Sequence, residues 1–229
     1  MKTTFRISGD CSVLAVYGAG VDPAVNEKVR RMTALLNSDL PGGIVGIVGS
    51  YCTLAVRYDP LQLDFRQVTS LLLEREKELG RAIVAEARVV AIPVCYGDEF
   101  GPDLDFVAKH NGLDREEVIA LHSEGLYRIY AIGFAPGFCY LGGLHRKLHC
   151  PRLESPRQKV LAGSVGIAGS QTGVYPQNSP GGWRLIGRTP LRLFAPERQE
   201  PLLYGPGDSI RFQPISLEEF HARQQEDSL

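Results

Sequence analysis

No stretch of this sequence stays apolar long enough to cross a bilayer, and its first ten residues, MKTTFRISGD, lack the apolar centre of a secretory signal. A cytoplasmic protein with no membrane partner is the expectation. Runs of Lys or Arg are missing as well. With 25 basic against 26 acidic residues and a formal net charge of -1, nothing supplies the basic footprint that a nucleic-acid backbone requires. The five cysteines, Cys11, Cys52, Cys95, Cys139 and Cys150, contain no C-x-x-C pair. That argues against a zinc knuckle and a disulfide framework and leaves free thiols. Signatures of self-contained catalysis are absent too: no G-x-x-x-x-G-K-[ST], no G-x-S-x-G elbow and no H-E-x-x-H. Gly18-Ala19-Gly20 stops short of the third glycine of a dinucleotide-binding turn. His145 and His149, four apart with Cys150 adjacent, have a metal-like spacing, but Gly142-Gly143 before them and Pro151 after leave no room for a helix. A surface loop and no metal are expected there.

What is present is enough for a real core: 44% of the residues are hydrophobic and 22% charged, in a chain long enough for one large domain or two modest ones. The first part alternates strand-like runs (TTFRISG, CSVLAVYG, GGIVGIVG, TLAVRYD, ARVVAIPVCY) with two helical patterns, close to a βαββαβ order with an extra leading strand. The first helix opens at Asp22-Pro23, an acceptor at the N-cap and proline at N1, and carries Val25, Val29, Met32, Leu35 and Leu36 on one face. The second is announced by Asp64 and Gln67 as a capping box, with Leu63 and Val68 as its hydrophobic staple. The fold class expected is α+β, a ferredoxin-like α/β sandwich over residues 1–92 followed by a β-barrel domain over 93–229. The polar YGDEFGPD segment after Ile92-Pro93 marks the boundary. Asp103 is expected to cap a short helix ending at Asn111-Gly112, and Asp114 with Glu117 to box a second one, with Leu113 and Val118 as staple. From Tyr127 the chain turns into short apolar runs, YRIYAIGF, SVGIAG, LRLFAP and SIRFQP, separated by Gly and Pro clusters as in a barrel or sandwich. The end, SLEEFHARQQEDSL, reads as a final helix that frays.

The chemically suggestive text is GFAPGFCYLGGL (133–144), Pro151-Arg152, Arg157, AGSVGIAGSQTGVYPQNSPGGW (162–183) and IGRTP (186–190). Glycine at this density costs backbone entropy, so it belongs where the main chain needs positive φ or must approach something closely. Phe134, Phe138, Tyr140, Tyr175 and Trp183 would wall a small-molecule site, and Arg157, Gln171, Thr172, Arg184 and Arg188 would fix polar groups. Pro136, Gly137, Pro176 and Thr189 complete the substrate-binding set from the same strings. The competing reading makes the glycines barrel corners and the aromatics core. His122, late on a helix before the Gly133 loop, is the candidate acid or base, against a structural histidine bonded to the barrel.

Those three strings resemble the hallmark segments of the allophanate hydrolase subunit 1 / KipI family, and the resemblance covers nearly the whole chain. It implies a cyclophilin-like β-barrel for the second domain and an obligate partner, a C-type (subunit 2) protein with a related barrel, together with an A-type subunit. The activity implied is ATP-dependent opening of 5-oxoproline to glutamate, with ATP and Mg bound in the assembled complex and none by this chain alone. A lactam amide is unreactive, so phosphorylating its oxygen makes it an electrophile that water can attack. Guanidinium groups suit carboxylate or phosphoryl oxygens. Arg157 and Arg188 are expected as anion contacts, with Gln171 and Thr172 as hydrogen-bond partners. The resemblance leaves open two other roles, the carboxyltransferase component of a urea carboxylase type system and a histidine-kinase inhibitor.

Overall fold

The computed structural model describes residues 2–226, and these divide into two units with the boundary between Glu86 and Ala87. The first is an antiparallel sheet with strands β1 (Thr4–Ile7), β2 (Ser12–Val16), β3 (Ile44–Gly49) and β4 (Thr53–Tyr58) in the order β1-β2-β4-β3. Helices α1 (Pro23–Ser38) and α2 (Phe65–Lys77) follow β2 and β4. The caps work as the sequence suggests. The Asp22 carboxylate accepts from the Ala24 and Val25 N–H groups, and Asp64 and Gln67 close a reciprocal capping box. The period-two alternation of β2 and β4 puts Val13, Ala15, Leu54 and Val56 on the face the helices cover, where Val29, Met32, Leu36, Val68 and Leu72 meet them. Each large side chain buried there contributes about 1.5–3 kcal/mol.

Two expectations about this unit need correction. The βαββαβ order puts its closing strand in ARVVAIPVCY, yet β1, the leading strand, occupies that sheet edge beside β2. ARVVAIPVCY instead yields β5 (Val89–Tyr96), which pairs wholly inside the second unit. The boundary therefore lies between Glu86 and Ala87, not at 92/93, a position in the middle of a strand.

The second unit adds helices α3 (Leu104–Asn111) and α4 (Arg115–Glu124) and strands β6 (Tyr127–Ile132), β7 (Cys139–Gly142), β8 (Arg157–Val160) and β9 (Ser164–Ala168). Then come β10 (Gln171–Val174), β11 (Ser179–Gly181), β12 (Arg184–Arg188), β13 (Ser209–Pro214) and α5 (Leu217–Glu226). Seven strands form one sheet in the order β10-β9-β12-β5-β13-β6-β7, antiparallel except for the parallel pair β5 and β13. Its edges nearly close into a barrel. A Cβ added at Gly173 on β10 would lie 3.2 Å from the Cys139 carbonyl on β7, tighter than most Cβ contacts, so glycine favours that approach. β8 and β11 make a separate two-stranded ribbon. The core includes Ile92, Val94, Leu104, Val118, Ile129, Leu141, Val165, Ile167, Ile186 and Phe212. The run LRLFAP forms no strand, only an isolated bridge from Phe194 to Leu202. The fraying expected at the C-terminus concerns residues 227–229, outside the described residues.

Asp114 and Glu117 close their capping box, but Asp103 makes no side-chain cap at the start of α3. Its carboxylate reaches across the unit instead. It accepts from the Leu185 N–H at 2.7 Å and pairs with Arg157 at 2.9 Å and Arg184 at 3.8 Å. A buried carboxylate facing two guanidinium groups and a backbone donor satisfies a charge that burial would otherwise penalise.

Candidate functional site

Around Phe138 five aromatic side chains gather. Phe138 meets Phe134, Tyr140, Tyr175 and Trp183 edge-on, with centroid separations of 5.2–5.5 Å and interplanar angles from 68° to 85°. Glycine makes the packing possible: a Cβ at Gly181 would collide with the Tyr175 hydroxyl. These rings, with Arg152, Pro156, Pro180, Gly181 and Gly182, line a cleft of about 390 Å³. That volume falls in the roughly 300–1,000 Å³ range of small-molecule sites, which are mostly apolar with a few polar groups. Phe138, Tyr175 and Trp183 are buried, while Phe134 stands 68% exposed at the cleft with φ of 70°. A phenylalanine in left-handed backbone is uncommon. The turn is held by the Gly133 N–H donating to the Phe138 carbonyl and the Phe138 N–H to the Ala135 carbonyl, both at 3.0 Å.

Of the expected site residues, the five aromatics converge and the rest disperse. Arg157 and Arg188 line a different cavity of about 210 Å³. Arg157 is bound to Asp103, and Arg188 donates through Nε to the Ala162 carbonyl at 2.8 Å. Arg184 joins Asp103 and lies 3.5 Å from the Phe106 ring centroid. Gly137 is a packing position: with φ of 85°, it leaves room for Leu202, Phe194 and Pro176 within 3.1–3.2 Å of an added Cβ, and its carbonyl accepts the Tyr204 O–H at 2.8 Å. Pro176 is thereby part of that packing, and Pro136, next to Gly137 in sequence, is exposed and does not line the cleft. Thr189 is buried just after β12, its N–H donating to the Gly163 carbonyl. Gln171 opens β10 opposite Ala168 and lines neither cavity.

His122 and Thr172 belong to the barrel interior. The Thr172 hydroxyl donates to the Gly166 carbonyl at 3.0 Å, so it accepts from His122 Nε2–H at 2.8 Å, and Nδ1 then accepts from the Tyr96 O–H at 2.7 Å. The ring stacks on Phe212 at 4.6 Å, and complete burial pulls its pKa down to about 3. Both ring nitrogens are occupied by partners outside the cleft lining, a correction to the acid or base role: the geometry is that of a structural histidine. Cys139 is equally inert, its thiol pushed up to about 11 by burial. His145 and His149 flank a short 3-10 turn, and no metal-capable cluster occurs among the described residues.

Five lining residues lie outside the expected site set: Pro180, Gly181 and Gly182 belong to the 162–183 string, Arg152 is named in the suggestive text without a role, and Pro156 lies outside the strings. Arg152 is exposed, and its signal is only adjacency to Pro151 between two Gly-rich strings. The cleft therefore offers aromatic faces, one guanidinium and glycine backbone. Its lining, among the described residues, includes no carboxylate, imidazole or thiol. Such a site can hold a flat, small, anionic molecule.

The sequence matches the family described as "Carboxyltransferase domain, subdomain C and D" over residues 3–204. This chain belongs to that family. It is 42% identical to the B component of 5-oxoprolinase from Bacillus subtilis (strain 168), covering 95% of both chains. It is 43% identical to the B component of 5-oxoprolinase from Escherichia coli O157:H7, covering 90% of this chain and 93% of that one. Among solved structures, TTHA0988 superposes with a TM-score of 0.78 at 38% identity over 90% of this chain, which spans 40% of that protein. The urea carboxylase of Kluyveromyces lactis matches at 0.80 with 21% identity, over 98% of this chain and 23% of its own, a likeness of fold. No helix among the described residues is long and apolar enough to cross a membrane.

Proposed function

We propose that this chain is the B component of a heteromeric 5-oxoprolinase that opens 5-oxo-L-proline to L-glutamate with hydrolysis of ATP. The observation that carries this reading is the 42% identity to the Bacillus subtilis 5-oxoprolinase component along 95% of both chains. The aromatic cleft supports it chemically. A five-membered lactam is flat enough to lie against Trp183 and Tyr175, and its carboxylate can be met by Arg152. Because the lining holds no carboxylate, imidazole or thiol among the described residues, we assign the bond-breaking groups to the assembly with a C-type (subunit 2) partner and an A-type subunit.

ATP with Mg fits neither of the two cavities described above. The aromatic cleft has no carboxylate for the cation and one guanidinium for three phosphates, and the 210 Å³ cavity is too small for a nucleotide. We therefore place ATP elsewhere in the complex, and the complex in the cytoplasm. A carboxyltransferase role is the second reading, favoured by the family description and by the urea carboxylase fold, at the lower identity of 21%.

The test is ATP-dependent glutamate release from 5-oxoproline, with the purified chain alone and then with A- and C-type subunits. Turnover only in the full mixture is the expected result. Turnover by the lone chain would overturn the partner requirement. Silence in a mixture whose subunits demonstrably bind would overturn the 5-oxoprolinase reading in favour of carboxyl transfer.

A further inference from the structure

The smaller cavity, about 210 Å³, carries more charge than its size needs for packing. Its lining includes Arg157, Lys159, Ser164 and Arg188 against one carboxylate, Glu99. Arg157 and Lys159 are two apart on β8 and so share a face. Arg157 is already neutralised by Asp103, which leaves Lys159 and Arg188 against Glu99, an excess of one positive charge.

Arg188 is the informative member. Its stem is held against Gly163, where an added Cβ would lie 3.4 Å from the Arg188 Cγ, and its Nε is fixed by the Ala162 carbonyl. Its guanidinium has no carboxylate within ion-pair distance among the described residues. Burial draws its pKa below the ordinary arginine value, with Glu99 partly opposing the shift. A half-buried, immobilised fork with free donors is preorganised for an oxyanion.

Ser164 adds a hydroxyl to the same wall. It is 4% exposed and lines the same cavity, where its hydroxyl can donate to an occupant. Phe100, Val160, Leu161 and Leu185 close the remaining walls. The volume lies below the roughly 300–1,000 Å³ of drug-sized sites, so the occupant is a few heavy atoms.

We infer that this cavity, separate from the aromatic cleft, binds a small oxyanion, a phosphate or a short carboxylate, through Arg188, Lys159 and Ser164. The inference goes beyond the 5-oxoprolinase reading and does not depend on it. The test is thermal unfolding of the full chain titrated with inorganic phosphate, with L-glutamate, and with chloride at matched ionic strength. Saturable stabilisation by phosphate or by glutamate, absent with chloride, is expected, and which of the two saturates distinguishes phosphoryl from carboxylate recognition. Lys159→Gln, at an exposed position, and Ser164→Ala should each weaken the midpoint about tenfold, the effect of losing about 1.4 kcal/mol of hydrogen bonding, while the ligand-free melting temperature of Lys159→Gln stays unchanged. Arg188→Lys should retain only part of the affinity, since an ammonium cannot replace the fork. The inference is overturned if neither anion saturates, if chloride stabilises equally, or if Lys159→Gln and Ser164→Ala leave the midpoint where it was.

Discussion

Phe134 combines two costs, an exposed aromatic surface and left-handed backbone, set against one edge-on ring contact with Phe138. Glycine would relieve the strain, worth about 1–2 kcal/mol, while losing one edge-to-face contact with Phe138, worth about 0.5–1.5 kcal/mol, and some unfolded-state entropy. Phe134→Gly should therefore melt within a few degrees of the parent protein yet raise KM for 5-oxoproline several-fold in the assembled enzyme. An unchanged KM would remove Phe134 from the site. His122 makes the opposite case, a residue whose chemistry is all structural. Its folded pKa, about 3, lies below the ordinary 6.5, so the unfolded chain takes up a proton that the folded one refuses. Its contribution is complete above about pH 6.5 and falls by about 1.4 kcal/mol per pH unit as pH drops toward 3. Burial raises the pKa of both neighbouring tyrosines, Tyr96 and Tyr127, so neither titrates in that window. Urea unfolding as a function of pH should show this slope in the parent chain and a flatter one in His122→Gln. Equal slopes would mean that the ring is not the group being titrated.

At the scale of elements, the Asp103 carboxylate ties the start of α3 to β12 through Leu185 and Arg184 and to β8 through Arg157. Asp103→Asn keeps an acceptor for the Leu185 N–H but strands two guanidinium groups, and should cost about 3–5 kcal/mol in urea unfolding. A loss under about 1 kcal/mol would show that solvent already screens the node. Local signals in the sequence read well here: Asp22, Asp64 and Asp114 all cap as their spacing implies, because a cap is decided within four residues. Asp103 has the same local look and a different use, since its partners lie 54 and 82 positions away. The site divides along the same line. The aromatic group around Phe138 is legible because glycine-rich strings carry it, whereas Arg157 and Arg188, in equally glycine-rich text, open into another cavity. Thr172 escapes the sequence for a simpler reason: strand alternation turns its hydroxyl inward to His122 and Gly166, a choice of face that composition does not reveal.

For the whole molecule, the placement of β5 matters most. Taken as the last strand of the first sheet, it would make the N-terminal unit depend on residues beyond 86. Its actual register, parallel to β13 and antiparallel to β12, puts every strand pair inside one unit or the other. The hydrophobic cores divide in the same way, with Met32, Leu36 and Leu54 in one and Ile92, Ile129 and Phe212 in the other. All residues lining the aromatic cleft fall between Phe134 and Trp183, inside the second unit. A chain of the length of residues 87–229 buries close to 70% of its unfolded surface on folding, enough for independent stability in a typical domain. The fragment 87–229 is therefore expected to fold alone, with a cooperative thermal transition, a dispersed amide spectrum, and Trp183 fluorescence as buried as in the full chain. A broad, uncooperative melt with strong binding of an apolar dye would show that this unit needs the first 86 residues to complete its packing.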